Sequence, residues 1–250
     1  YSNTTGQSNA FVGPQAGYSN TTGAYNSFFG GLDSGAYPAG YSNTTGGYNT
    51  ALGSGALKSN TTASNNTAVG YQAGYANTTG SLTAVGYQAL KANTTGSNNV
   101  AVGFNSLLSN TTGNNNTAYG NQSLNDNTTG AYNTALGMQA LISNTTASNN
   151  TAVGYQAGYS ITTSVQNTVF GAQALRSHTT GSSNTAIGYA SQYSTTTASN
   201  NISVGDGSMY ANTTGANNVG VGVEALRYNT TASNNTAVGY QAGYNNTTGT

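Results

Sequence analysis

The sequence predicts an all-β protein, a parallel β-solenoid or β-roll built from about fourteen coils of 17 residues. Three observations support this fold class: a repeat that covers all 250 residues, a glycine at the same place in every complete repeat, and a high density of Asn, Thr and Gly. A helical solenoid is excluded, because a 17-residue repeat is too short for it and because Gly and Asn disfavour helices.

The repeat register follows from comparing the units with one another. Coils begin at residues 1, 18, 41, 58, 75, 91, 108, 125, 142, 159, 176, 193, 210, 227 and 244. Unit 18–40 has six extra residues, unit 75–90 lacks one, and 244–250 starts a fifteenth coil. We therefore expect a single repeat array over 1–250, with a loop projecting at the insertion within 18–40. Since the chain begins and ends inside the pattern, we expect a segment of a longer protein or ends covered by other subunits.

Positions within a coil are numbered from its first residue, so that coil 142–158 reads ISNTTASNNTAVGYQAG. Positions 9–12 predict a short strand, positions 14–17 a second one, and the Ser-Asn-Thr-Thr segment a turn. A thin core is expected, with a large apolar side chain at position 12, in some coils another at position 17, and small residues at positions 11 and 16. The glycine at position 13 predicts a positive φ or a backbone approach that excludes a Cβ atom. The turn glycines include Gly70, Gly103, Gly120, Gly137 and Gly154.

Neighbouring coils of such a stack lie about 4.8 Å apart, so equivalent side chains stack directly on one another. Position 9 is Asn in every complete coil except the shortened one, which has Leu82 there. We expect this position to form a structural ladder of amides. Its members include Asn49, Asn66, Asn99, Asn116, Asn133 and Asn150. The same spacing explains why 3 % of the residues are charged, because like charges in register repel.

Two further positions are candidate surface sites. Position 1 combines Tyr with all four basic residues and is expected to form an exposed edge that contacts solvent, a glycan or a neighbouring chain; it includes Tyr41, Lys58, Tyr75, Lys91, Arg176, Tyr210 and Arg227. Position 3 opens an Asn-x-Thr sequon in twelve units. Because Ile, His and Thr replace Asn in three units, we expect this side chain to face outwards. It would then either hydrogen-bond the backbone of the turn or accept a glycan. Candidate acceptors include Asn43, Asn60, Asn93, Asn110, Asn127 and Asn144.

Composition and spacing exclude several classes of function. A net charge of zero without a basic cluster argues against nucleic-acid binding. No apolar run is long enough to insert into a membrane as a helix, and no secretory signal pattern opens the chain. Neither an enzyme nor a cofactor or metal site is expected, because the four acids lie in different units and the single histidine, His178, is expected at the surface.

The coil segment with consensus NTAVGYQAL occurs as NTAVGYQAG at 150–158 and LTAVGYQAL at 82–90. It resembles the YadA-like head repeats of trimeric autotransporter adhesins, and is similar to repeats of surface fibre proteins and phage tail-fibre shafts. The resemblance covers essentially the whole chain, although the usual period of those heads is shorter than 17 residues. It implies a left-handed parallel β-roll, a homotrimer, an extracellular or cell-surface location and an adhesive or stalk role.

We therefore expect an extracellular structural fibre or adhesin shaft, a rigid rod that associates with copies of itself as a trimer or filament. The alternative is a carbohydrate- or ice-binding β-solenoid that acts through an exposed Tyr or Thr face. Expected partners are other copies of the chain and, in the alternative, a glycan or surface ligand. An enzyme is the third and most distant hypothesis.

Overall fold

A computed structural model describes residues 2–31 and 37–249, and it confirms the all-β parallel solenoid. Asp33 and the middle of the insertion lie outside the described residues. The chain forms two compact units, Tyr1–Thr129 and Gly130–Thr250. In each unit, one short strand per coil pairs in parallel with the strand of the next coil, in chain order and with equivalent repeat positions in register.

The strands occupy the same repeat positions throughout. The first unit contains β1 (Ala10–Val12), β2 (Ser27–Phe29), β3 (Thr50–Leu52), β4 (Thr67–Val69), β5 (Leu82–Val85), β6 (Asn99–Val102) and β7 (Thr117–Tyr119). The second contains β8 (Thr134–Leu136), β9 (Thr151–Val153), β10 (Thr168–Phe170), β11 (Thr185–Ile187), β12 (Ile202–Val204), β13 (Val219–Val221) and β14 (Thr236–Val238).

The second strand predicted at positions 14–17 is wrong, because this segment is a series of turns. Its backbone enters the left-handed region at position 15, as at Gln72 (φ 54°), and again at position 17, as at Leu57 (φ 49°). Position 8 is also left-handed, which suits the Asn found there in many coils. Position 13 has φ between 112° and 144°, a region that only glycine enters readily. These repeated reversals close the coil within 17 residues.

The turns are hydrogen-bonded from coil to coil as regularly as the strands. The amide of position 17 donates to the carbonyl of position 16 in the next coil, as from Leu57 to Ala73 (3.0 Å). Position 13 donates in the opposite direction, as from Gly70 to Leu52 of the preceding coil (2.8 Å). Backbone polar groups that no strand satisfies therefore find partners in the stack, as burial requires.

The core contains the expected small residues at positions 11 and 16 and the expected Leu at position 17, but not the large residue at position 12. Position 12 points outwards, with Leu52 49 % and Phe170 51 % exposed, so the expectation that it fills the core is wrong. Strand side chains alternate between faces, and it is the small residue at position 11 that points inwards. The core consists of Ala at positions 11 and 16 together with Leu at position 17, as in Ala51, Ala56 and Leu57, all fully buried.

Leucine at position 17 has a conformational cost, because a left-handed φ strains an L-residue by roughly 1–2 kcal/mol. Its complete burial contributes a comparable amount in the opposite direction, about 1.5–3 kcal/mol. Glycine at position 17 avoids the strain but leaves the core empty. The chain uses both solutions, with Leu57, Leu90 and Leu107 in some coils and Gly74 and Gly158 in others.

Where position 17 is glycine, a large side chain from another position occupies the space. Phe28 at position 11 packs against Gly40 of its own coil and is fully buried. Leu82, from the coil after Gly74, reaches to 3.3 Å from where a Cβ of that glycine would lie. Ile161 does the same for Gly158, at 3.0 Å. The core volume is therefore maintained locally by unlike residues, which the repeat consensus alone does not reveal.

Candidate functional site

The described residues contain no cluster of acidic or histidine side chains of the kind that holds a metal ion. No group of three His, Asp or Glu side chains is found there. Glu224 accepts a hydrogen bond from Gln241 and pairs with Arg227 at 3.0 Å, which accounts for that acid structurally. Burial raises the pKa of the Asp126 carboxyl, but no second acid accompanies it. Candidate sites are therefore the repeated columns of side chains.

The position-9 asparagines form a ladder mainly through the backbone, with direct amide-to-amide contacts from Asn167 to Asn150 and from Asn184 to Asn167. Asn49 is fully buried; its Oδ1 accepts from the amide of Asn66 at 3.0 Å, and its Nδ2 donates to the carbonyl of Ala63 at 2.9 Å. Most complete coils repeat at least the first of these contacts. The ladder is interrupted at Leu82, where the Nδ2 atom of Asn66 is buried without a partner. The same burial is found for the other predicted ladder residues, Asn99, Asn116, Asn133 and Asn150.

Position 3 carries the amide-to-amide ladder. The Nδ2 atom of Asn43 donates to Oδ1 of Asn20 at 2.8 Å and to the carbonyl of Gly46 at 2.9 Å. The expectation that this position faces solvent is wrong, since its asparagines are fully buried except at the ends of the described chain. The buried sequon residues include Asn43, Asn60, Asn93, Asn110, Asn127 and Asn144. A buried amide nitrogen leaves no room for a glycan in the folded coil.

The two threonines of the turn have different environments. The position-4 hydroxyl donates to the position-4 carbonyl of the next coil, as from Thr44 to Thr61 (3.0 Å). The position-5 side chain is exposed in every described coil, as at Thr45 and Thr79. Within the described residues its hydroxyl makes no hydrogen bond to protein. Position 5 is therefore an uninterrupted column of threonines whose sequence invariance has no internal hydrogen bond to explain it.

The position-1 edge is half-buried, because its side chains pack on one another along the stack. Tyr193 and Tyr210 stack at 5.1 Å, and the guanidinium of Arg227 lies 5.0 Å from the Tyr210 ring centre. Arg176 lies over two rings, and Lys58 donates to the Tyr75 hydroxyl at 2.9 Å. Tyr41 stacks on its neighbour in the same way. Since neighbours cover the ring faces, this edge is a poor platform for stacking a sugar.

Lys91 differs from the other basic residues of this edge. In the part of the chain that the structure describes, its ammonium group makes no cation–π contact, ion pair or hydrogen bond, whereas the other three basic residues each lie over a tyrosine ring. It lines a depression of about 410 Å³ together with Tyr75, Gln88 and Leu108. The depression forms where the column of rings ends and smaller or aliphatic residues follow. Its lining is mostly Ala, Ser and Leu, which offers few groups to orient a ligand.

The single histidine lies in the core, so the expectation that His178 is a surface substitution is wrong. It replaces Asn at position 3, with Ile161 and Thr195 in the coils on either side, and all three are fully buried. Its Nε2 atom contacts the Gly181 carbonyl and Ser164 Oγ, while its Nδ1 atom and Thr195 Oγ1 are buried without partners. Burial lowers the pKa of His178, partly offset by the hydrogen bond to Gly181.

We expect the stability of the protein to fall as the pH drops below about 6.5, the ordinary histidine value. The folded-state pKa of His178 is lowered, so the unfolded chain takes up the proton first; the stabilisation is complete above pH 6.5 and is lost as the pH falls through the folded pKa. Melting temperatures between pH 8 and pH 5 measure this loss. His178→Asn, which restores the ladder residue, should remove most of the dependence. An equal slope in the variant contradicts this assignment.

The outward face of the sheet is an extended apolar surface. Position 12 contributes Val, Leu, Ile, Phe or Tyr in each coil, and position 10 contributes mainly Thr. No charged residue occurs at either position in any coil. Contiguous exposed apolar surface of this kind marks interaction sites.

Sequence reasoning missed the position-3 ladder because replacements by Ile, His and Thr were interpreted as tolerance at a surface. One signal was present: the three replacements fall in consecutive coils, as a locally changed core would require, rather than scattered along the chain. The outward direction of position 12 had a weaker signal in the constant small residue at position 11.

Comparisons with protein-family models, with curated proteins and with solved structures gave no match. Across residues 2–31 and 37–249, no helix combines the length and apolar character needed to cross a bilayer.

Proposed function

We propose that this chain is the structural segment of an extracellular fibre or adhesin shaft, and that it works by associating with further copies of itself. The outward apolar face of the sheet carries this proposal. Internal hydrogen bonding accounts for most other repeated positions: Asn at 3 and 9 and Thr at 4 satisfy the backbone and one another. Position 12 has no such internal role, yet it is apolar in every coil.

Further copies of the same chain are the occupants that fit this face best. A face without charges does not repel its own copy, and parallel strands at about 4.8 Å repeat the same side chain at the same spacing on both partners. Burying apolar surface contributes about 25 cal/mol per Å², so a small gain per coil accumulates along a stack. A trimer in which the outward faces meet around a common axis satisfies this requirement, and so does a filament of laterally packed chains. The extracellular location rests on the resemblance to adhesin repeats.

The test is to introduce acids on the outward face and measure assembly. Leu52→Glu combined with Val85→Glu places two carboxylates on position 12, two coils apart. Sedimentation velocity should show oligomers for the parent chain and monomers for the variant. The matched control is Thr45→Glu with Thr79→Glu, which puts the same charges on the same coils at exposed position 5 and should leave assembly unchanged. A parent chain that is monomeric at high micromolar concentration contradicts the proposal.

The position-5 threonines favour a second candidate, an ice-binding solenoid. Their hydroxyls are exposed, evenly spaced and without protein partners in the described coils. Such a column can hold water in a regular array. Thermal hysteresis of the purified chain distinguishes the two functions, since a shaft has no reason to depress the freezing point. Freezing-point depression that disappears when position-5 threonines are replaced by leucine would favour ice binding.

A further inference from the structure

The shortened coil leaves a notch in the solenoid surface. Coil 75–90 lacks its position-8 residue, which elsewhere takes a left-handed conformation and projects to solvent. The strand of the shortened coil and the strand of the following coil lengthen to four residues, Leu82–Val85 and Asn99–Val102. A depression of about 500 Å³ remains, lined by Ser64, Asn65, Ser81, Leu82, Thr83, Asn98, Asn99 and Val100.

The chemistry of the notch is polar and uncharged. Asn65 and Asn98 stand on opposite sides of the missing residue, two coils apart in the position-8 column. Ser81 and Asn98 bond to one another at 3.0 Å, which fixes one wall. The side chains of Asn65 and Thr83 make no hydrogen bond within the described residues. Amides and hydroxyls that both donate and accept are therefore available to a ligand.

A buried unsatisfied group lies beside the same gap. The Nδ2 atom of Asn66 has no partner, although the residue is 1 % exposed and its Oδ1 accepts from the amide of Leu82, a residue of the notch lining. In regular coils this nitrogen donates to a carbonyl of the next coil, as Asn49 does to Ala63. An unpaired buried donor costs about 1–3 kcal/mol. The missing residue thus has a structural cost that the ordinary coils do not have.

We propose that this notch is a binding site for a neutral saccharide. No lining side chain is charged, so an ionised ligand would lose hydration without compensation. A sugar offers hydroxyl groups that donate and accept at once, matching the Asn and Thr side chains, and a ring face that packs on Val100. The volume lies within the usual ~300–1,000 Å³ of small-molecule sites. Tyr48, 62 % exposed one coil beyond Asn65, extends the surface for a longer chain of sugars.

The experiment uses saturation-transfer NMR on the full chain with glucose, galactose, mannose and N-acetylglucosamine as probes, and N-acetylneuraminic acid as the anionic comparison. At least one neutral sugar should show transfer, and the anionic sugar should show much less. Inserting one Asn between Ser81 and Leu82 restores a 17-residue coil and fills the notch. We expect this insertion to abolish transfer without lowering the melting temperature.

Point variants keep the proposal testable if the insertion misfolds. Asn65→Ala should weaken binding about ten-fold, the loss expected for one or two hydrogen bonds to a ligand. Asn149→Ala is the matched control, because this residue occupies the same repeat position in a coil that does not line the notch, and the variant should bind as the parent chain does. Absence of transfer from all four neutral sugars, or unchanged binding in both the insertion and Asn65→Ala, would overturn the proposal. Because Thr83 and Val100 also lie on the outward face of the sheet, binding is measured at a concentration below that at which the chain self-associates.

Discussion

Replacing Gly137 by valine is expected to unfold the coils around it, with a loss of at least about 4 kcal/mol in stability. Gly137 has φ 133°, and a Cβ there would lie 2.5 Å from the carbonyl oxygen of Gly154 in the next coil. The backbones of both coils are held in place by the neighbouring coils, so neither Gly137 nor Gly154 can move away without a large loss of stability. The position therefore combines conformational strain with a steric clash, and the two costs add.

Circular dichroism melting and hydrogen exchange of the neighbouring coils measure the effect of this change. Leu136→Val is the control, because it alters the adjacent residue on the exposed outward face and should leave melting nearly unchanged. We expect the Gly137 variant to lose amide protection first in the coils next to residue 137. Unchanged melting together with unchanged assembly would contradict the role assigned to position 13.

Truncating Phe28 to alanine is expected to cost about 3–5 kcal/mol, the range for a buried phenylalanine. Phe28 is fully buried and stacks on Phe11 at 5.2 Å. Adding Gly40→Leu to this variant should recover most of the loss, since it recreates the Ala and Leu pair of coil 41–57. Gly40 has φ 57°, close to the 49° at which Leu57 is accommodated.

The same Gly40→Leu change should destabilise the parent chain, because the Phe28 ring already occupies the space. The effect of Gly40→Leu on stability thus changes sign with the residue at position 28. A double-mutant cycle on melting data measures this dependence directly. Additive effects would show that core volume is not shared between positions 11 and 17. A variant with Thr22→Ala, in the same coil but exposed, controls for nonspecific loss of stability.

Periodicity predicted the fold class well, because the parallel stack repeats any constraint at every coil. Glycine is invariant at the position of Gly137, and Asn is nearly so at the position of Asn49, for backbone reasons that a single sequence already suggests. The side of the strand that faces the core was harder to predict. A three-residue strand with Ala at its centre shows too little alternation of polar and apolar residues to tell which face is buried. Val153, which was expected to fill the core, therefore lies on the outward face, and Ala152 is the strand residue that is fully buried.

The candidate sites were predicted less well, because they depend on departures from the repeat. His178 was taken as a surface change, since one residue gives no view of its neighbours, whereas in the structure it stacks between two other replaced residues. Prediction of the notch would have required knowing which repeat position is missing from coil 75–90. A deletion at a projecting left-handed position opens the surface, while a deletion in the strand would have shifted the register.

The matching of Leu82 to Gly74 and of Ile161 to Gly158 has a consequence for how such an array can change length. Loss of residues 75–90 alone would leave the space at Gly74 filled on one side, by Leu57, whereas loss of the pair 58–90 removes the glycine and Leu82 together. Recombination between near-identical repeats is therefore neutral only at some junctions. In those places the smallest segment that can be gained or lost without disturbing the core is a pair of coils, and elsewhere it is a single coil.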